Sequence, residues 1–346
     1  MTFELGVYSF GNTPQDTGGG HRATAQAIRN VLEAVQVADE VGLDFFGFGE
    51  HHTGSMPMSS PTALVNAAAA ATERIGLGTA VTVLSTDEPI RVFQQLATAA
   101  AIAPGRIEAV AGRGSSDITF PIFDFDVRNY DMLYRSKLEL LMEANQHDRV
   151  TWSGPHRRRP LNDALFVPRP EQPLKIWLGS GGSPESVGRA VELGLPLFLG
   201  ILGGTAEHWA QYGHAYRDAW AQVGHPVEAA EIAVAVHGFV APDDRQAKAT
   251  YLEHELRMFT TGAAEVGRPG LPPTGRAGNY EPGGMVFAGG PNEIADRILH
   301  FHQLLGHNRQ ILQMDVGGLP HATFLKAIEL LGTEVLPQIR KELGTN

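Results

Sequence analysis

Short apolar runs alternate with longer segments whose apolar residues recur at helical spacing, and this rhythm holds over most of the chain. Glu4 to Phe10 predicts a first strand, and Ile28, Val31, Leu32, Val35 and Ala38 predict the helix behind it. Leu43 to Phe48 predicts a second strand. Ser60-Pro61 marks a helix start, with a hydroxyl cap and a proline in the first helical position, and the alanine run carries that helix to about Arg74. Ile75 to Ser85 reads as one Val/Thr-rich strand, Pro89 opens a helix, Ile107 to Gly112 is the fourth strand and Tyr130 to Asn145 a helix. A loop dense in Pro and Arg, Thr151 to Pro173, precedes a strand at Leu174 to Leu178, a helix at Ser183 to Leu193 and a strand at Leu195 to Leu199. Ile232 to Val240 is the seventh strand and Ile311 to Val316 the last, with helices opening at Gly290-Pro291 and running from Pro320 to Leu343.

Eight strand–helix units predict an α/β fold with a parallel sheet closed into a TIM (β/α)8 barrel, read as one domain over residues 1–346. An open doubly wound sheet is the alternative. No Gly-x-Gly-x-x-Gly follows the first strand, so the dinucleotide fingerprint is missing. The Gly/Pro-rich segment Thr261 to Gly290 breaks the rhythm after strand 7 and predicts a loop or lid excursion over one face.

Composition narrows the chemistry. With 43% apolar residues the 346-residue chain has ample material for a large core. A net charge of −11 and a pI near 5.7 argue against a nucleic-acid surface, which needs clustered Lys and Arg. There are no cysteines, hence no disulfide, thiolate metal site or cysteine nucleophile. The longest apolar stretch, Leu193 to Leu202, is interrupted by Gly194, Pro196 and Gly200 and is too short to span a membrane. An acidic residue stands near the start, in Met1-Thr2-Phe3-Glu4-Leu5, where a secretion signal would be basic, so a cytoplasmic protein is expected.

Two strand ends carry candidate chemistry. Gly49-Glu50-His51-His52 leaves the second strand, at the end that faces the active site in a parallel barrel. Successive side chains on a strand diverge, so the two histidines are not expected to share a metal; one faces the cavity and the other is packed or satisfied by Glu50. His51 is the candidate acid or base. Gly112-Arg113-Gly114 ends the fourth strand, where glycines let a ligand approach the backbone and a guanidinium suits phosphate. Leu178-Gly179-Ser180-Gly181-Gly182-Ser183-Pro184-Glu185 runs from a strand into a helix start, whose free N–H groups and positive dipole end favour an anion. His237, mid-strand, reads as a satisfied core or cavity-lining residue, and Arg157-Arg158-Arg159 as a solvated loop.

Together these residues resemble the bacterial luciferase-like flavin monooxygenases. The likeness runs through Glu50-His51-His52, Ile75 to Leu84, Pro89-Ile90-Arg91, Gly105 to Glu108, Gly112-Arg113-Gly114, Ile176 to Ser186 and Phe287 to Pro291, in family order. It implies a TIM barrel, commonly a homodimer, binding reduced FMN at the mouth. Arg113 is then the residue that binds the flavin phosphate, and Ser180, Gly181, Gly182 and Ser183 form the phosphate loop. Ala80-Val81 matches a non-proline cis peptide beneath the flavin ring, and His51 the histidine near its reacting edge. No metal is implied. Gly179 stands where luciferases proper carry an acid, which points away from light emission. The expected activity is a monooxygenase that takes reduced FMN from a separate reductase and oxygenates a small organic substrate with dioxygen through a flavin hydroperoxide. A deazaflavin-dependent oxidoreductase of the same fold, a non-catalytic flavin-binding protein and a metal-dependent barrel hydrolase are the competing readings.

Overall fold

The structure is a computed structural model that describes residues 2–15, 19–114, 118–265 and 275–344. In chain order the strands are β1 (Glu4–Ser9), β2 (Phe45–Phe48), β3 (Gly76–Thr79), β4 (Thr82–Val83), β5 (Ile107–Gly112), β6 (Arg149–Trp152), β7 (Leu161–Leu165), β8 (Lys175–Ser180), β9 (Leu197–Ile201), β10 (Ile232–Val240), β11 (Val286–Gly289) and β12 (Arg309–Gln313). Eight of them, β1, β2, β3, β5, β8, β9, β10 and β12, pair in parallel in that order, and β12 returns to β1 at Glu4↔Arg309. The sheet is a closed parallel barrel with helices around it, the TIM-barrel architecture that the strand–helix alternation predicts.

The helices that matter below are α1 (Gly20–Glu40), α2 (Pro61–Ala71), α3 (Pro89–Ile102), α4 (Thr119–Ile122), α5 (Tyr130–Gln146), α6 (Pro184–Glu192), α7 (Ala206–Gln222), α8 (Asp244–Glu265) and α9 (Pro291–Leu305). The span Pro320 to Leu343 is helical but not uniform: α10 (His321–Leu330) and α11 (Leu336–Leu343) flank a π-helical turn at Leu331–Val335. Ser60 precedes α2, yet its hydroxyl makes no capping bond; Pro61 in the first turn is the only start signal used there.

Alternation along the strands divides the core in two. One set of side chains, including Leu5, Val7, Phe46, Leu77, Val234 and Leu312, packs outward under the helices. The other fills the barrel: Tyr8, Phe45, Val110, Trp177, Phe198, Ala233, Ala235 and Ile311. The barrel's foot is sealed by charge. Arg309, almost wholly buried, gives two parallel hydrogen bonds to Glu108 (2.6 and 3.0 Å) and one to Glu4 (2.5 Å). Its guanidinium lies 4.2 Å from the Phe45 ring centre and 5.0 Å from that of Trp177, whose Nε1–H also donates to Glu108.

Three segments depart from the sequence reading. Ile75 to Ser85 is not one strand: β3 and β4 are separated at Ala80-Val81, whose peptide is cis. The loop Thr151 to Pro173 contains the antiparallel hairpin β6–β7. Its tip carries Arg157, whose guanidinium is 3.5 Å from Glu88, while Arg158 and Arg159 are exposed. The segment Thr261 to Gly290 after β10 carries regular structure at both ends. Its first residues end α8, residues 266–274 lie outside the described residues, and its last form β11. Since His237 pairs with both Gln313 and Val286, β11 takes the edge of β10 beyond the end of β9.

Helix α8 roofs one side of the mouth. The Tyr251 hydroxyl donates to the Gln313 carbonyl (2.5 Å), the His254 Nδ1 bonds the Gly317 carbonyl (3.0 Å), and Glu265 accepts from the Ser55 amide (2.9 Å). The helix thus runs from β10 past the end of β12 to the loop after β2. Behind it lies a buried ionic cluster: Glu255 accepts from His237 (2.6 Å), Tyr280 (3.0 Å) and Arg276, and Arg276 also donates to the Leu202 carbonyl (2.7 Å). His237 is therefore a satisfied histidine.

Candidate functional site

The mouth of the barrel is built on a backbone ledge at Ala80-Val81. Glycines on the neighbouring strands leave room for it. A Cβ on Gly47 would come 2.6 Å from the Ala80 Cβ, and one on Gly112 would come 2.2 Å from a Val81 methyl. The Ala80 amide bonds the Phe48 carbonyl at 2.7 Å, and the Thr79 hydroxyl brackets Val110, giving its hydrogen to the carbonyl and receiving one from the amide. Sequence alone reads Thr79 to Val83 as plain core strand; the fold makes it a shelf held from both sides. Gly112→Ala is expected to destabilise the protein by about 1–3 kcal/mol, because the new methyl has no space unless Val81 moves. Thermal melting checks this, and a variant as stable as the parent would show that Val81 can move aside without cost.

Beside the shelf the two histidines separate as adjacent side chains should. The His51 ring meets the Phe10 ring edge-on, with centres 4.5 Å apart, and its amide bonds the Met58 carbonyl. Burial, with His52 adding to it, lowers the His51 pKa from 6.5 to about 4, so the imidazole is neutral at physiological pH. His52 turns away: its Nε2 is 3.0 Å from Glu50, and its ring is 5.4 Å from that of Phe123. The expectation that one of the two histidines is satisfied by Glu50 matches this arrangement, with His52 as that residue.

Arg113 and the glycine-serine loop leave neighbouring strands at the same level, since Ala111 on β5 is registered beside Leu178 on β8. The Arg113 guanidinium lies 5.0 Å from the centre of the Tyr130 ring and donates to Asp131 at 3.0 Å, a carboxylate that is 70% exposed. Its main chain is fixed from behind: Ser85 Oγ donates to the Arg113 carbonyl (3.0 Å), and the buried Lys137 donates to the Ser85 carbonyl (2.8 Å). Burial brings the Lys137 amine down to about 8. This lysine carries no motif, and nothing in the sequence marks it.

On the loop, the Gly182 amide bonds Ser180 Oγ, and Ser183 Oγ caps α6 by accepting from the Ser186 amide (3.2 Å). Gly182 has φ +84° and lies against Trp209, whereas the space beside Gly181 is open. A guanidinium and a capped helix start therefore flank open space beside a flat shelf, with a neutral imidazole nearby. Chemically this is an anion receptor joined to a platform for a planar group. Among the described residues no three of His, Asp and Glu converge as a metal site would require, and no helix is long and apolar enough to cross a membrane.

A family model described as luciferase-like monooxygenase matches residues 5–314. The protein y4vJ of Sinorhizobium fredii is 25% identical over 94% of this chain and 95% of its own length. The F420-dependent glucose-6-phosphate dehydrogenase of Kineococcus radiotolerans is 31% identical, over 47% of this chain and half of that protein. Among solved structures, the oxygenating constituent of 3,6-diketocamphane monooxygenase from Pseudomonas putida, a type II Baeyer–Villiger monooxygenase in complex with FMN, shares the fold. It superposes with a TM-score of 0.76 at 20% identity, covering 98% of this chain and 99% of that one. The names in this group join FMN-dependent oxygenation to F420-dependent dehydrogenation on one scaffold. With a match that runs from the first barrel strand through the last, the chain belongs to the luciferase-like monooxygenase family.

Proposed function

We propose that this protein is a flavin-dependent monooxygenase that binds reduced FMN from a separate reductase and oxygenates a small organic substrate with dioxygen. The observation that carries the reading is the shared level of Arg113 and the α6 start beside the Ala80-Val81 shelf. The residues fit the cofactor. Arg113, Ser180, Gly181, Gly182 and Ser183 offer charge and hydrogen-bond donors to a phosphate, and Ala80 and Val81 offer an apolar shelf to a planar ring. Reduced flavin, when bound, supplies the electrons that activate dioxygen. The chain's own part is to grip the phosphate, to present the neutral His51 as a proton acceptor, and to keep water out with Phe10, Val81 and the roof of α8. The missing dinucleotide fingerprint supports a borrowed source of electrons, and the reading includes a cytoplasmic homodimer.

Asp131 accepts one hydrogen bond from Arg113, and a phosphate would compete with it for that donor. Arg113→Ala is expected to weaken FMN binding by about 2 kcal/mol, roughly 30-fold, the worth of a charge-assisted hydrogen bond. Asp131→Ala removes a competitor and is expected to leave affinity unchanged or tighter. Fluorescence titration with FMN reads both, and equal affinity in Arg113→Ala and the parent would remove the basis for the assignment. The deazaflavin reading keeps one specific support, the F420-dependent relative in the same family. Parallel titrations with FMN and F420 decide between the cofactors.

A further inference from the structure

We propose that Glu50 is a positioning residue: it fixes the ring tautomer of His52 and ties the histidine pair to the shelf at Ala80-Val81. The proposal rests on the flavin reading for its catalytic consequence, but its geometry stands apart from it. Glu50 is buried, with its carboxyl group only 4% exposed, and both oxygens are in use. Oε1 faces His52 Nε2 at 3.0 Å, and Oε2 accepts from the Val83 amide at 2.8 Å. Val83 lies on β4, two residues beyond the cis peptide, and Glu50 lies two residues beyond the end of β2. One carboxylate therefore joins the segment that carries His51 to the segment that forms the shelf.

A carboxylate has only acceptor positions to offer, so His52 must donate from Nε2, which leaves Nδ1 as the bare acceptor. Phe123 against the ring holds its plane, and His52 has no other hydrogen-bond partner among the described residues. The buried carboxylate thus decides which nitrogen of His52 can take up a proton, one residue away from the neutral His51. Without Glu50 the Val83 amide would lose its partner, and with it the tie between the loop after β2 and the shelf.

Glu50→Gln separates this role from simple filling of space. The Val83 N–H can only donate, so the glutamine oxygen is committed to it, and the side-chain NH2 then faces His52. The ring must answer with an acceptor at Nε2 and carry its hydrogen on Nδ1. Nitrogen-15 spectra of the histidine rings near neutral pH are expected to show His52 as the Nε2–H tautomer in the parent and as the Nδ1–H tautomer in Glu50→Gln. Turnover is expected to fall by roughly 10-fold or more, through the changed hydrogen bonding of His52 one residue from the base His51, with FMN affinity changed less than about 2-fold. An unchanged His52 tautomer in Glu50→Gln overturns the proposal, as does a loss of FMN affinity as large as the loss of turnover. If the parent binds no flavin, the functional reading fails while the tautomer result still decides the role of Glu50.

Discussion

Truncating His51 to alanine is expected to slow product formation by roughly 10²–10⁴-fold, the usual contribution of a general acid or base, with FMN affinity within a few-fold of the parent. The imidazole lies against Phe10, away from the side chain of Arg113 on Tyr130 and Asp131, so removing it leaves Arg113 and the α6 start intact. Its unperturbed pKa would suit either proton donation or acceptance, but burial brings it to about 4. At neutral pH only acceptance remains. The rate that His51 carries as a base is therefore expected to be flat from about pH 5 to 8 and to fall only as the pH approaches 4. Stability follows the same group: between about pH 6.5 and 4 the unfolded chain binds a proton that the folded chain refuses, so acidification through that window weakens the fold. A pH–rate limb near 6.5 that disappears in His51→Ala would show that the imidazole titrates normally and is not desolvated.

Glu255→Ala is expected to destabilise the folded state by about 3–5 kcal/mol, because it strands Arg276 and His237 in the interior without their anion. Burial by itself raises the pKa of Glu255, but the bonds and charges of His237 and Arg276 outweigh that and hold the carboxyl group below its ordinary value. Equilibrium denaturation measures the cost. Pairing Glu255→Leu with Arg276→Met removes both charges at once and is expected to recover part of the loss, since apolar side chains often replace a buried ion pair without penalty while His237 and Tyr280 still lack their acceptor. A single alanine variant within 1 kcal/mol of the parent would mean that water reaches Arg276.

The barrel was legible because its signal is local: each β-like run is short, and the turn to a helix follows within a few residues. Gly112-Arg113-Gly114 and Glu50-His51-His52 stood out because charged groups at the end of an apolar strand have no packing reason to be there. The parts that were not legible depend on distance. Glu255 and Arg276 meet across 21 positions of sequence, and no periodicity links them. Helix α8 shows Ala247, Tyr251 and Glu255 as its buried positions, and its remaining contacts mix apolar residues such as Leu252 and Met258 with polar bonds to the β12 and β2 loops. That leaves no apolar stripe to detect. The division of Ile75 to Ser85 at Ala80-Val81 is invisible in residue types, which read as continuous strand. Only the likeness to a family marked that peptide, and the matching glycines at positions 47 and 112 become meaningful once the fold brings them beside it.

The charged plug formed by Arg309, Glu108 and Glu4, with the side chains packed above it, closes the barrel at its foot, so the rim is the side from which a bound molecule is reached. On the proposed activity, flavin and substrate would share that rim, and the molecule seated deeper would arrive first and leave last. Ordered rather than random binding is the kinetic signature expected of such an arrangement.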